Sequence, residues 1–322
     1  MSFKKDTPLA NAVFWAARKG NVALLQLLLN SGRVDADCRD KCGTTALMVA
    51  SYGGHGESVR ELVMQGADIN YQRETGSTAL FLASQQGHDD IVKLLFEFGA
   101  STEFRTKDGG TALTAACQHG HANVAETLLK NGANVHDRLN DGATPLFLAA
   151  QGGHVTVMRQ LLASGAKVNQ PREDATAPLW MAAQMGHSDA VRVLLLRGAD
   201  RDAYREDGST ALFKAAVKGH GSVIEELLKF SPSLGLLKVV NRQRGTNTKN
   251  GSTALHAAVV GGSLRSVQLL LGANADPALA DENNELPADL AKSQRILRVL
   301  HPKVLNVTAD DNRCSCLGVC LH

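Results

Sequence analysis

The chain has 322 residues, 44% of them hydrophobic but only 4% aromatic, and its 34 Lys and Arg nearly balance 32 Asp and Glu, for a formal net charge of +2. That balance offers no bulk attraction for nucleic acid or an anionic membrane surface. A core of Ala, Leu and Val suits short, closely stacked helices, and no apolar run nears the ~18 residues of a spanning helix.

Residues 1–9 (MSFKKDTPL) form an N-terminal segment without the apolar stretch of a secretory signal. A cytoplasmic protein is therefore expected, and the six cysteines (Cys38, Cys42, Cys117, Cys314, Cys316 and Cys320) suggest no disulfide framework. Residues 10–42 carry ANAVFWAARKGN and LLQLLLNSG, which read as a first helical pair lacking the turn and Thr cap of the pairs that follow.

From there the sequence repeats itself. Thr45–His55 reads TALMVASYGGH, Thr78–His88 TALFLASQQGH, Thr111–His121 TALTAACQHGH, and Thr144–His154 TPLFLAAQGGH. Ala177–His187 (APLWMAAQMGH) and Thr210–His220 (TALFKAAVKGH) continue the series, and Leu47, Leu80, Leu113, Leu146, Leu179 and Leu212 each lie 33 residues after the last. A fixed period of this size marks a stacked array.

One unit, residues 73–105, shows why. Gly76 suits a turn with positive φ, and Thr78 is a good N-cap for a short helix running to about Gln86. Gly87-His88 breaks that helix. Asp89 opens a second, whose Ile91, Val92, Leu94, Leu95 and Phe98 fall at helical spacing, and Gly99 ends it. Pro145 and Pro178 occupy the first helical position, where no N–H is needed. Neither helix is stable alone, so stability must come from stacking on neighbours.

The T-A/P-L-x-x-A-A/S-x-x-G-H helix, the V-x-x-L-L helix and the G-A-D/N-x-N segment, as in Gly66-Ala67-Asp68-Ile69-Asn70, resemble the ankyrin repeat family across residues 10–302. The resemblance implies an all-α ankyrin repeat solenoid of about nine helix-turn-helix repeats, gently curved, with β-hairpin fingers along one edge and a concave face of short helices. It also implies that the recurring histidine bonds to backbone. It further marks Asn70 and Asn169, which end LVMQGADIN and LLASGAKVN, as candidates for asparaginyl hydroxylation.

After the first, the repeats fall at about residues 43–72, 76–105, 109–138, 142–171, 175–204, 208–237, 251–280 and 284–302. Repeat six departs at its turn, with Ala175 in place of Gly and Ala177 in place of Thr. Repeat eight (TALHAAVVGGS) has Asn274 where the others have Gly, and the ninth is polar enough to be a cap. Leu212 and Leu255 are 43 residues apart rather than 33, an insertion over 231–250 holding Lys238, Arg242, Arg244 and Lys249 with no acidic residue. It reads as a solvated loop or as a basic contact for an acidic partner. Residues 303–322 are expected to be an unstructured Cys-containing tail.

Chemistry is scarce. His55, His88, His121, His154, His187 and His220 recur once per repeat, so they form a ladder spaced ~8–10 Å apart and cannot share one metal ion. The cysteine spacings match no zinc framework. No G-x-S-x-G, Walker loop, H-E-x-x-H or kinase signature occurs, so no catalytic residue, cofactor or metal is assigned.

What remains is surface. Gln85, Gln118, Gln151 and Gln184 end the first helix of four successive repeats. Their amides can donate and accept, which suits an irregular protein surface, although a merely solvated stripe is the alternative. Finger tips carry Arg73, Lys107, Arg172 and Arg205 beside acidic residues such as Glu74, Asp108, Asp141 and Asp174. Phe81, Phe147, Trp180 and Phe213 form a further series, read as packing between repeats, with Trp180 the best hot-spot candidate among them. The expected function is a non-catalytic scaffold, a monomer binding unidentified protein partners through the concave face and finger tips, with no nucleic acid or membrane contact. The alternative is a membrane-peripheral adaptor held by an S-acylated cysteine tail.

Overall fold

The computed structural model describes residues 7–229, 240–242 and 251–301. These residues form seventeen helices, and strand pairing among them is limited to two isolated bridges, Arg39 with Thr45 and Tyr204 with Thr210. The first pairs are α1 (Pro8–Lys19) with α2 (Val22–Asn30), α3 (Ala46–Gly53) with α4 (Gly56–Met64), and α5 (Ala79–Gln86) with α6 (Asp89–Glu97). The middle pairs are α7 (Ala112–His119) with α8 (Ala122–Lys130), and α9 (Pro145–Gly152) with α10 (Val155–Ala163). Next come α11 (Pro178–Met185) with α12 (Ser188–Leu196), and α13 (Ala211–Lys218) with α14 (Gly221–Lys229). An eighth pair, α15 (Ala254–Val260) with α16 (Leu264–Gly272), is followed by α17 (Gln294–Leu300).

Odd-numbered helices α1–α15 stack on one another as an inner layer, and even-numbered helices as an outer layer. Inner helices are short because Thr opens them and Gly closes them. Thr78 Oγ1 accepts the Phe81 N–H at 3.1 Å, and Thr144 Oγ1 accepts that of Phe147 at 3.2 Å. Ala and Leu fill the seam between layers and repeats, where Leu47, Leu80, Leu113, Leu146 and Leu212 are all buried. Each buried Leu contributes about 1.5–3 kcal/mol relative to exposure, and its helix packs on both the outer helix of its own repeat and the adjacent repeats.

The fingers are tight turns rather than paired strands. Within them the N–H groups of Arg73, Thr106, Leu139 and Arg172 donate to the carbonyls of Ser77, Gly110, Ala143 and Thr176 at 2.8–3.1 Å. Adjacent fingers are tied through backbone: Glu74 N–H to Cys42 O, Lys107 to Thr75, Asn140 to Asp108 and Glu173 to Asp141. Among the described residues the series is not continued from Glu206 to the finger before it.

Two departures look as the sequence suggests. Ala175 takes φ +59°, Asn274 φ +63°, and Asn284 repeats the arrangement at φ +59°. Ala177 stands at the N-cap of α11 with no side-chain hydrogen bond. The first repeat differs from expectation. It begins at Pro8, inside the presumed N-terminal segment, and Thr7 caps it by accepting the Ala10 N–H at 3.1 Å. At 12 residues α1 is one turn longer than the 8-residue α3, which moves its Thr-Pro start out of register with the later repeats.

The insertion leaves the stack continuous. α13 packs directly on α15 and α14 on α16, with Arg265 Nη2 2.7 Å from Glu225 Oε1. Within the inserted stretch Val240 is buried, and Asn241 Oδ1 accepts the Asp276 N–H at 2.8 Å. Arg242 donates to the Asp202 carbonyl at 2.9 Å and lies over the Tyr204 ring. The other residues of 231–250, and the 303–322 tail on which the acylated-anchor alternative depends, lie outside the described residues.

Candidate partner-binding face

The recurring histidine builds the inner face. It stands at the N-cap of each outer helix from α4 to α12, yet its ring does not cap that helix. Nε2 instead reaches the preceding repeat. His121, His154, His187 and His220 meet the carbonyls of Gln85, Gln118, Gln151 and Gln184 at 3.0, 3.1, 3.0 and 3.1 Å. A carbonyl only accepts, so Nε2 carries the proton. Each bond satisfies an orphan carbonyl in the last turn of an inner helix. His55 and His88 do the same for Arg18 and Tyr52.

This close approach explains the glycine before each histidine more fully than its φ does. A Cβ on Gly87 would lie 2.5 Å from His121 Nδ1, and one on Gly120 would lie 2.4 Å from His154 Nδ1. Burial, together with the neighbouring His119, His154 and His88, holds the His121 pKa below its ordinary value against the opposing bond to Gln85.

With their carbonyls held, the four glutamines project from one line on the inner layer. Gln118 and Gln151 are exposed and Gln85 and Gln184 half-buried, and their amides form no hydrogen bond among the described residues. Spacing extends the line to Arg18 and Tyr52 at one end and to Val217 and Val260 at the other. The stripe is thus amide in the middle, aromatic and cationic at Tyr52 and Arg18, and apolar at Val217 and Val260.

The finger cations divide into two kinds. Arg172 pairs with Asp141 at 2.8 Å and lies over the Phe147 ring, while Arg205 pairs with Asp174 at 2.9 Å and lies over Trp180. Each therefore clasps its own finger to the one before. Arg73 donates from Nε to Thr75 Oγ1 at 2.8 Å, and neither it nor Lys107 forms an ion pair among the described residues. Sequence inspection does not find this division, because all four cations sit beside acidic residues in the chain.

Trp180 is buried, at 4% exposure. Its Nε1 donates to the carbonyl and hydroxyl oxygens of Ser209 at 3.1 and 3.2 Å, and Arg205 and Lys214 cover its ring. The matching residue of repeat eight, His256, makes the same reach from Nε2 to the Glu285 carbonyl at 3.1 Å. Trp180 and His256 therefore each brace the next finger.

Two hollows lie between fingers and inner helices. One, of about 280 Å³, brings together Gln118, Gln151, Arg172, Asp108 and Asp141 over Phe81 and Phe147. The other, of about 700 Å³, lies over the first three repeats and is lined by Phe14, Arg18, Asp40, Met48, Val49, Tyr52, Arg73 and Leu82. Neither Gln85 nor Gln184 nor Lys107 nor Arg205 lines either hollow. Among the described residues no group of three or more His, Cys, Asp or Glu is placed to hold a metal ion.

Asn70 and Asn169 occupy equivalent places at the other end of the unit. Asn70 accepts the Ser101 N–H at 2.9 Å and donates to the Gly99 carbonyl at 3.3 Å; Asn169 accepts from Asp200 at 2.8 Å and donates to Gly198 at 3.3 Å. Both amides stitch successive loops.

Helix pairs stacked in two layers, with tight-turn fingers along one edge, define a helical repeat solenoid. The chain belongs to the ankyrin repeat family: a family model for ankyrin repeats in three copies matches residues 4–73, 59–139, 94–172, 131–205 and 179–281. That family generally mediates protein–protein interaction and is generally non-enzymatic. The chain is 87% identical over 306 residues to ankyrin repeat domain-containing protein 29 of Danio rerio, covering 95% of this chain and 99% of that protein. It is 82% identical over 303 residues to the Homo sapiens protein of that name, covering 94% and 97%. The crystal structure of the human ASB11 ankyrin repeat domain superposes with a TM-score of 0.63 at 28% identity, over 70% of this chain and 99% of that one.

Proposed function

We propose that the protein is a non-catalytic scaffold or adaptor, monomeric and cytoplasmic, that binds a protein partner along its concave inner layer and finger tips. The observation that carries this reading is the 280 Å³ hollow, where Gln118 and Gln151 from the amide stripe meet Arg172 from the finger series over an apolar floor. Unengaged amides flanked by charge read a polypeptide's backbone and side chains at low cost in reorganisation. Asn70 and Asn169 stay candidates for hydroxylation, and the mass of their tryptic peptides from animal cells tests this: no added oxygen removes the idea.

The scaffold reading is tested by affinity capture from lysate with the wild-type chain and with Gln85, Gln118, Gln151 and Gln184 all changed to Glu. The variant is expected to lose a discrete set of partners. Identical partner sets would refute the groove assignment.

A further inference from the structure

We infer that the 700 Å³ hollow over repeats one to three is the principal docking site, and that its occupant is an acidic segment of a partner protein carrying a bulky apolar residue. This deepens the concave-face reading and rests on it. The floor is apolar: Met48 and Leu82 are buried beneath the surface, and Phe14 and Val49 are half-exposed. Tyr52, half exposed at 51%, stands at its rim. A side chain seated there removes apolar area from water on both partners, which is how anchors generate most binding energy.

Charge then selects the occupant. Arg18 and Arg73 line the hollow, and neither guanidinium is ion-paired among the described residues. The one carboxylate in the lining, Asp40, is turned onto its own finger, where Oδ1 accepts the N–H groups of Cys42 and Thr44 at 2.9 and 2.7 Å. The hollow therefore presents two available cations above an apolar floor. The smaller hollow differs: it holds Asp108 and Asp141 against a single Arg172 whose charge Asp141 already meets. An acidic flank gains at the first hollow and is repelled by the second. Arg forks also bind carboxylates bidentately, which fixes the direction of the bound segment.

The test is a phage-displayed library of random 16-residue peptides panned on the full chain, with selected peptides measured against three proteins: wild type, R18E/R73E and Q118E/Q151E. Arg18 is exposed and Arg73 half-exposed, so both substitutions are surface changes, and thermal melting of each variant verifies folding. Peptides with Asp or Glu around one large apolar residue are expected to be enriched, and to lose at least about tenfold in affinity on R18E/R73E, a larger loss than on Q118E/Q151E. Should R18E/R73E melt early, V49D in its place blocks the same floor. Enrichment of basic or uncharged peptides, or of none, overturns the inference. Loss on Q118E/Q151E alone moves the site to the middle of the groove and leaves the scaffold reading standing. Peptides indifferent to both variants overturn both.

Discussion

His121 Nε2 lies 3.0 Å from the carbonyl oxygen of Gln85, 36 residues earlier, and the His121 ring fills the space where a Cβ on Gly87 would stand. The bond, the glycine and the half-buried amide form one device that couples repeats and leaves the glutamine side chain without a hydrogen bond.

That device is open to a double-mutant cycle. His121→Ala removes a partly buried bond and is expected to cost about 1–2 kcal/mol. Gly87→Ala adds both a clash with His121 and a side chain at φ +82°, for about 2 kcal/mol or more. The double variant is expected to be less destabilised than the sum, because removing the ring clears the clash. Strict additivity in chemical denaturation would show that the two residues do not meet.

Acid should weaken the stack at this point. The fold depresses the His121 pKa, so the unfolded chain takes up the proton first as pH falls. Stability is fully present above the ordinary value near 6.5 and declines as pH falls from there through the folded value. His121→Gln, which cannot titrate, is expected to melt with a shallower pH dependence between about 7.5 and 5.5. Parallel curves for the two proteins would refute this.

The sixth finger is expected to be the loosest of repeats two to seven. Ala175 holds φ +59°, Ala177 offers no cap, and the backbone tie to the seventh finger is absent among the described residues. Ala175→Gly should stabilise by about 0.5–1 kcal/mol. Ala177→Thr should add about 1 kcal/mol by accepting the Trp180 N–H. Amide exchange at Thr176 as slow as at Ala143 in the wild-type chain would contradict the account.

Glu226 ties the outer layer just before the insertion. Arg192 donates to it from Nε and Nη2 at 3.0 and 2.8 Å, and Lys229 adds a bond at 2.9 Å. The Arg192 bonds, aided by Lys229 and opposed by burial, lower its pKa from 4.5 to about 2. Its contribution is therefore present above 4.5 and fades as pH falls towards 2. Glu226→Gln is expected to cost about 1–2 kcal/mol at neutral pH, discounted because Arg192 is half exposed, and almost nothing near the folded pKa. An equal cost at both pH values would refute the assignment.

Much of the fold is legible along the chain because each repeat restates the same local rules. Thr caps, Pro at N1, positive-φ Gly and the substitutions at Ala175 and Asn274 all act within a few residues of themselves. What depends on the neighbouring repeat is harder to read. The split between Arg73 and Arg172 turns on an aspartate 31 residues away, and the second reason for Gly87 is a ring 34 residues on. Trp180 looks like an anchor by type, but its indole N–H is spent on Ser209. The N-terminal hollow is harder to read from the sequence because the positions that hold glutamine in the middle repeats hold Arg18 and Tyr52 in the first two.

The central claim is that partners meet the inner layer. A benzophenone amino acid placed at Gln118, on the concave line, and separately at Lys130, on the outer helix α8, tests it in cells. A partner adduct is expected from position 118 and none from 130. The same adduct from 130 with none from 118 would contradict it.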